Sequence, residues 1–255
     1  SAEIKALYEV TPLLGITMAA GGNMKVLYEP GYDANTSGNI WDNPDAQSEA
    51  GQATSLQDTG KKVVIEKDPE VVKARNLLLK TRAIEAAKKA DMVIYVGGLN
   101  HIQDTEGQDR ENMKLPYDQE ALILDLLDAN ENTVLAMVAG SPVDMTAFEK
   151  KAKAIVYSWY AGMEGGTALG QVLFGDFNPC GKLPETFPKS EQDCSAHNIG
   201  EFPGDDVVRY KEGIFVGYRY YDSYDVEVQY PFGFGLSYTT FVLSNLSLKE
   251  MKKLD

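Results

Sequence analysis

The sequence predicts an α/β fold: a three-layer α/β/α sandwich built on a mostly parallel, flavodoxin-like doubly wound sheet. Three observations lead there. Short apolar runs alternate with amphipathic stretches of about ten to fifteen residues, the pattern of βαβ units. The runs are apolar almost throughout, as strands covered on both faces are. Polar, glycine-rich segments follow the runs, at the carboxyl ends where open α/β sheets place ligands.

The elements follow in order along the chain. Thr11-Pro12 reads as an N-cap with proline at the first helical position, opening a helix that runs to Ala20 and stops at Gly21-Gly22. Met24 to Tyr28 reads as a strand. Gly31 to Lys62 is rich in Asp, Asn, Ser, Gly and Gln and reads as a long surface excursion. Asp68-Pro69 opens a second helix, ending near Ala90, with Val71, Val72, Leu77, Leu78, Ile84 and Ala87 near helical spacing. The strand Met92–Val96 follows. Then come a helix over Tyr117–Ala129, a strand over Val134–Ala139, a helix over Val143–Ala152, a strand over Ile155–Trp159 and a helix over Gly165–Phe174. The crossovers are expected to be right-handed. After Gly175 glycine, proline and aromatics dominate, which predicts irregular loops, a hairpin and little helix. Alternating aromatics between Tyr210 and Tyr221 suit a strand. Phe241 to Leu248 alternates apolar and polar residues and reads as a strand that opens something new.

Bulk composition removes several function classes. A chain of 255 residues fills one large α/β domain or two small ones. It carries 38 acidic against 24 basic residues, for a formal charge of -14. Nucleic acid and anionic membrane surfaces need a basic footprint, so neither is an expected partner. A neutral ligand such as a sugar suits this charge, as do many others. No apolar stretch approaches the ~18 residues that span a bilayer. Ser1 to Lys5 lack the charged and apolar regions of a signal peptide, which leaves a cytoplasmic protein or a chain that begins after such a segment. Cys180 and Cys194 make no disulfide framework; a single bridge or two unpaired thiols both fit, the second being the plainer reading.

The loop from Gly97 to Arg110 is the richest in chemistry. It holds His101, Asp104, Glu106, Asp109 and Arg110. A carboxyl group that donates a proton at neutral pH needs burial or a nearby like charge. Glu106, flanked by Asp104 and Asp109, is the candidate, with an Asp109-Arg110 pair anchoring a tight turn. A solvated acidic loop is the competing reading. His101 is either a ligand contact or a structural strand-end residue. The spacing of His101, Asp104 and Glu106 fits no usual metal-ligand pattern, so no metal is expected.

Ser158 to Gly166 also sits at a strand end. Its glycines open a helix, but the string is neither GxGxxG nor a phosphate loop. Trp159 either stacks on a sugar face or packs in an interface. Ser141 and Ser158 lack the flanking glycines of a nucleophile elbow. The aromatic runs Gly217–Asp222 and Pro231–Tyr238 read mainly as segments that wrap and seal an interface.

Taken together, the strings resemble the second, α/β sandwich domain of glycoside hydrolase family 3, and within it bacterial β-glucosidases. The strings are Leu7 to Leu13; Thr105-Glu106-Gly107-Gln108-Asp109-Arg110 with Leu115-Pro116 and Gln119; Trp159 to Gly166; Asn178 to Pro184; Tyr218 to Asp222; and Pro231 to Thr239. The resemblance covers nearly the whole chain. It implies a retaining mechanism with two carboxyl groups, one a nucleophile and one an acid/base. The nucleophile would be an Asp on a separate (β/α)8 barrel preceding this domain. Glu106 would be the acid/base, on a loop that closes the sugar pocket, with Asp104 its rival. Asp109 and Arg110 would orient the loop, and His101 and Trp159 would contact substrate. The implied partners are a β-linked glucoside or oligosaccharide, the barrel, and a C-terminal fibronectin type III-like domain; no cofactor is implied.

The resemblance further implies a sandwich domain over residues 1–240, lacking its usual first strand, and the start of a truncated fibronectin-like domain over 241–255. Related enzymes are often exported, and this chain carries no address. Two other classes stay open: a non-catalytic carbohydrate-binding or barrel-docking module, and a free-standing flavodoxin-like nucleotide binder.

Overall fold

A computed structural model describes residues 6–34, 69–100, 103–104, 109–204 and 206–248. Thr11 caps α1 (Pro12–Ala20): its hydroxyl accepts the Leu14 N–H at 3.3 Å, and Pro12 fills the first turn. Gly21, at φ 59°, ends the helix. Next in order are α2 (Pro69–Ala87), β1 (Val93–Gly98), α3 (Gln119–Ala129), β2 (Thr133–Val138), β3 (Ala154–Tyr157) and α4 (Gly165–Phe174). Two short strands, β4 (Phe187–Pro188) and β5 (Val228–Tyr230), two short helices, α5 (Ser195–Asn198) and α6 (Tyr218–Ser223), and two single-turn 3-10 helices, Gly21–Asn23 and Glu191–Asp193, complete the described elements.

Strands β1, β2 and β3 form a parallel sheet in that spatial order, with Val93 opposite Thr133 and Leu135 opposite Ile155. In the central strand β2, Leu135 and Met137 point to the face where Leu122, Ile123, Leu126 and Leu127 of α3 and Ala83 and Ala87 of α2 gather. Ala136 alternates to the opposite face and is equally buried. A central strand dry on both faces belongs to a covered parallel sheet. The predicted α/β sandwich is therefore present.

Helices α1 and α4 meet backbone to backbone. A Cβ on Gly15 would lie 1.9 Å from the Gly166 carbonyl oxygen, and one on Gly166 would lie 2.2 Å from that of Thr11. Only glycine permits this approach. Two hydrogen bonds add to the joint: Val10 N–H donates to Met163 (2.8 Å) and Gly166 N–H to Val10 (3.0 Å).

Four expectations are corrected. The predicted helix Val143–Ala152 is a run of turns. Val143, Met145 and Phe148 are all buried; on a helix Met145 and Phe148 would share a face, but Val143, two residues before Met145, would point to the opposite side. Asp144 also takes both the N–H and the hydroxyl of Thr146, which favours a turn. Met24–Tyr28 has no strand partner among the described residues, and Met24, Leu27 and Tyr28 are exposed. Alternation supplies a strand's side chains but not its neighbour. Between Tyr210 and Tyr221 there is no strand but loops and then α6, on which Tyr220 meets Tyr224 one turn on. Phe241–Leu248 is extended, unpaired among the described residues and exposed.

The expected hairpin is instead an antiparallel pairing of distant segments, β4 with β5, Phe187 opposite Tyr230. It brings buried Phe187 edge-on to Tyr157 (5.0 Å between centroids) and Trp159 (6.1 Å). Both cysteines are free thiols, Cys180 exposed and Cys194 half-buried. The 31–62 excursion lies outside the described residues beyond Ala34.

Candidate active site

The carboxyl ends of β1, β2 and β3 lie side by side, and the loops leaving them meet around Asp104. The first loop starts from a fixed point. Gln119, fully buried at the start of α3, bonds both polar groups of the Gly98 backbone: it accepts the N–H and donates to the C=O, each at 2.8 Å. Its carbonyl also accepts the Tyr95 hydroxyl at 2.6 Å, and its amide donates to the Pro116 carbonyl at 3.0 Å. One buried side chain thus satisfies backbone groups that would otherwise be stranded in the core. Asn100 and Gln103 next donate to the Tyr117 hydroxyl at 3.2 and 3.0 Å. Tyr117 stacks on Tyr32 with centroids 5.8 Å apart.

Asp104 follows a turn in which its N–H donates to Asn100. Its Oδ2 accepts the Gly140 N–H at 3.0 Å and the Tyr160 hydroxyl at 2.6 Å. Its Oδ1 lies 3.9 Å from Arg110 Nε and accepts the Ser141 hydroxyl at 3.5 Å. Arg110 is mostly buried. Its Nη2 donates to the Ser141 hydroxyl (3.0 Å) and the Pro142 carbonyl (2.8 Å). Tyr157 closes the ring by donating to the Ser141 carbonyl at 2.6 Å. Burial, joined by the Asp104 carboxylate, pushes the Tyr160 phenol up. Tyr157 is pushed up by burial against the opposing pull of Arg110. Both hydroxyls therefore remain donors at neutral pH.

Beside this network lies a cleft of about 590 Å³. Asp109 and Arg110 form one wall, and Glu185, Thr186, His197 and the stacked pair Tyr218–Phe232 line the rest. Three buried polar atoms on its walls have no hydrogen-bond partner among the described residues: Arg110 Nη1, Thr186 Oγ1 and His197 Nδ1. Burial raises the Glu185 carboxyl, with Arg110 opposing.

Of the residues singled out in the sequence, Asp104 and Arg110 come together and Asp109 is exposed at the cleft. Trp159 is half-buried, edge-on to Tyr157 at 5.0 Å, in a left-handed turn (φ 53°) after β3. Glu106 and His101 lie outside the described residues. Sequence reasoning missed the roles of Gly140, Ser141, Tyr160 and Gln119. Gln119 carried a signal, a polar residue on the apolar stripe of Leu122, Ile123 and Leu126.

A parallel α/β sandwich with an acidic, arginine-bearing loop at its strand ends defines the class of fold, and comparison with known proteins defines the family. Residues 1–238 match the model of the glycosyl hydrolase family 3 C-terminal domain. The chain belongs to this family. It is 48% identical over 171 residues to a β-glucosidase of Bacteroides ovatus, covering 65% of this chain and 23% of that protein. The crystal structure of a family 3 β-glucosidase from Bifidobacterium adolescentis superposes with a TM-score of 0.71 at 32% identity, covering 94% of this chain and 30% of that one. A β-glucosidase from Kluyveromyces marxianus in complex with glucose gives 0.61 at 43% identity, over 65% of this chain and 20% of that one. The chain thus spans between 20% and 30% of the length of these relatives.

Proposed function

We propose that this chain is the second domain of a retaining, exo-acting β-glycosidase, most simply a β-glucosidase, and that Glu106 is its general acid/base. The observation that carries the reading is the anchoring of the two residues that flank Glu106 in the sequence. Asp104 before it and Arg110 after it both bind the turn after β2, through Gly140, Ser141 and Pro142. Membership of the family supports the chemistry. In a retaining glycosidase, one carboxyl group protonates the leaving oxygen and then, as a carboxylate, activates water against the glycosyl-enzyme intermediate. The nucleophile, an Asp on a (β/α)8 barrel, lies outside this chain, and the loop closes the sugar pocket over that barrel. Asp109 and Arg110 orient the loop, and His101 and Trp159 contact the sugar. Residues 241–255 open a fibronectin-like domain.

The test is hydrolysis of aryl β-glucosides by the full-length protein, wild type against Glu106→Gln. General acid–base catalysis is worth roughly 10²- to 10⁴-fold, so kcat/KM on a poor leaving group should fall in that range. Near wild-type turnover would favour a docking or carbohydrate-binding module instead.

A further inference from the structure

We infer that Asp104 is a positioning residue, clamped by Tyr160, Gly140 and Arg110, that ties its end of the strand-end loop to the turn after β2 and serves acid catalysis without itself exchanging a proton with substrate. The inference rests on Glu106 being the acid/base.

The geometry separates Asp104 from a proton donor. Its Oδ2 already accepts from the Gly140 N–H and the Tyr160 hydroxyl, and its Oδ1 faces Arg110 and Ser141. All four are donors of the protein itself. They come from three separate stretches: the turn after β2, the loop after β3 and the far end of its own loop. A carboxylate surrounded by donors from different elements is built to hold them in register.

Gly140 shows how closely the parts fit. A Cβ there would lie 2.7 Å from Tyr160 Cε2 and 3.1 Å from Asp104 Oδ2, so only glycine lets the tyrosine and the carboxylate meet over its N–H. Arg110 completes the clamp by gripping Ser141 and Pro142. Both flanks of the Glu106 string are therefore tied to one turn. Misplacing a catalytic group by about 1 Å can cost on the order of 100-fold. Releasing one flank should therefore be felt as lost acid catalysis.

The experiment uses the full-length protein with Asp104→Asn, Tyr160→Phe and Glu106→Ala. Each is assayed on a phenyl β-glucoside, whose departure needs a proton, and on a dinitrophenyl β-glucoside, whose departure does not. Tyr160→Phe removes one hydroxyl from a half-exposed ring, so it keeps the test open should Asp104→Asn fold poorly. Asp104→Asn should lower kcat/KM on the phenyl glucoside by up to about 100-fold and Tyr160→Phe by about 10-fold, with the dinitrophenyl substrate changed less than about 3-fold. Azide should not restore Asp104→Ala, a further variant that leaves room for the anion.

Equal losses on both substrates would mean a merely structural role and overturn the inference. So would wild-type behaviour of both variants beside a crippled Glu106→Ala, which leaves the proposed function standing. Near wild-type Glu106→Ala would instead overturn the proposed function. Azide rescue of Asp104→Ala, which leaves room for the anion, would make Asp104 the acid/base and overturn both.

Discussion

Replacing Gln119 with leucine should cost this fold about 3 kcal/mol, although leucine is similar in size and more apolar. The substitution strands three buried groups at once, and also takes a partner from the Tyr32 hydroxyl and the Pro116 carbonyl, which lie at the edge of the core. The Gly98 N–H and C=O lose partners at 2.8 Å, and the Tyr95 hydroxyl loses one at 2.6 Å. Each buried group left unsatisfied costs about 1–3 kcal/mol. Burying the leucine offsets roughly 1.5–3 kcal/mol of the sum. A net of about 3 kcal/mol is roughly a 150-fold change in the opening equilibrium. Urea denaturation, with mass-spectrometric hydrogen exchange of β1 and α3, reads this directly. Gln119→Glu adds a sign test. A carboxylate cannot donate to the Gly98 and Pro116 carbonyls, so its charged form is disfavoured in the fold and its pKa is raised there. The Gln119→Glu penalty should therefore be largest at neutral pH and shrink as pH falls through that raised pKa. A Gln119→Leu loss below about 1 kcal/mol would refute the claim that these groups depend on Gln119 alone.

Two further outcomes follow from packing and burial. Gly166→Ala should force α1 and α4 apart, because the new Cβ would lie 2.2 Å from the Thr11 carbonyl; a loss of about 1–3 kcal/mol is expected in thermal or urea unfolding, and an unchanged midpoint would count against the backbone-to-backbone joint. Burial pushes Tyr32 up to about 12 from 10.0. The unfolded chain then releases this proton first, so stability is full below pH 10 and falls between about 10 and 12, by roughly 2–3 kcal/mol at most. Tyr32→Phe should flatten that part of a denaturation-midpoint profile, and an unchanged slope would be evidence against the buried phenol.

Local signals carried far where an element stands between its own stop residues. Helix α4 runs Gly165–Phe174 as read, because Gly165-Gly166 and Gly175 bound an apolar run. Strand β2 is shifted by one residue from its expected span. Reading failed where the deciding partner is distant in sequence. Val143 and Met145 are apolar enough for a helix, but the core takes both from an irregular turn. Met24–Tyr28 has the pattern of a strand and no described neighbour to pair with. The site divides in the same way. Asp104 and Arg110 stood out as charges in a strand-end loop. Gly140 and Tyr160, which hold Asp104, lie 36 and 56 residues further on and meet it only because the parallel sheet aligns its strand ends. Within the Trp159-Tyr160 pair, the sequence singled out the tryptophan, for sugar stacking or interface packing, and gave the tyrosine no role. The structure places the tyrosine on the Asp104 network and packs the tryptophan against Tyr157 and Phe187.

The most direct measurement is azide rescue of Glu106→Ala in the full-length protein, with an activated aryl β-glucoside as substrate. Loss of the acid/base slows water's attack on the glycosyl-enzyme but opens room for an anion that needs no base. Restored turnover with a β-glycosyl azide as product, its configuration retained, is the expected result. Near wild-type hydrolysis by Glu106→Ala, or a slow variant that azide leaves slow, would contradict the assignment of Glu106 as the acid/base.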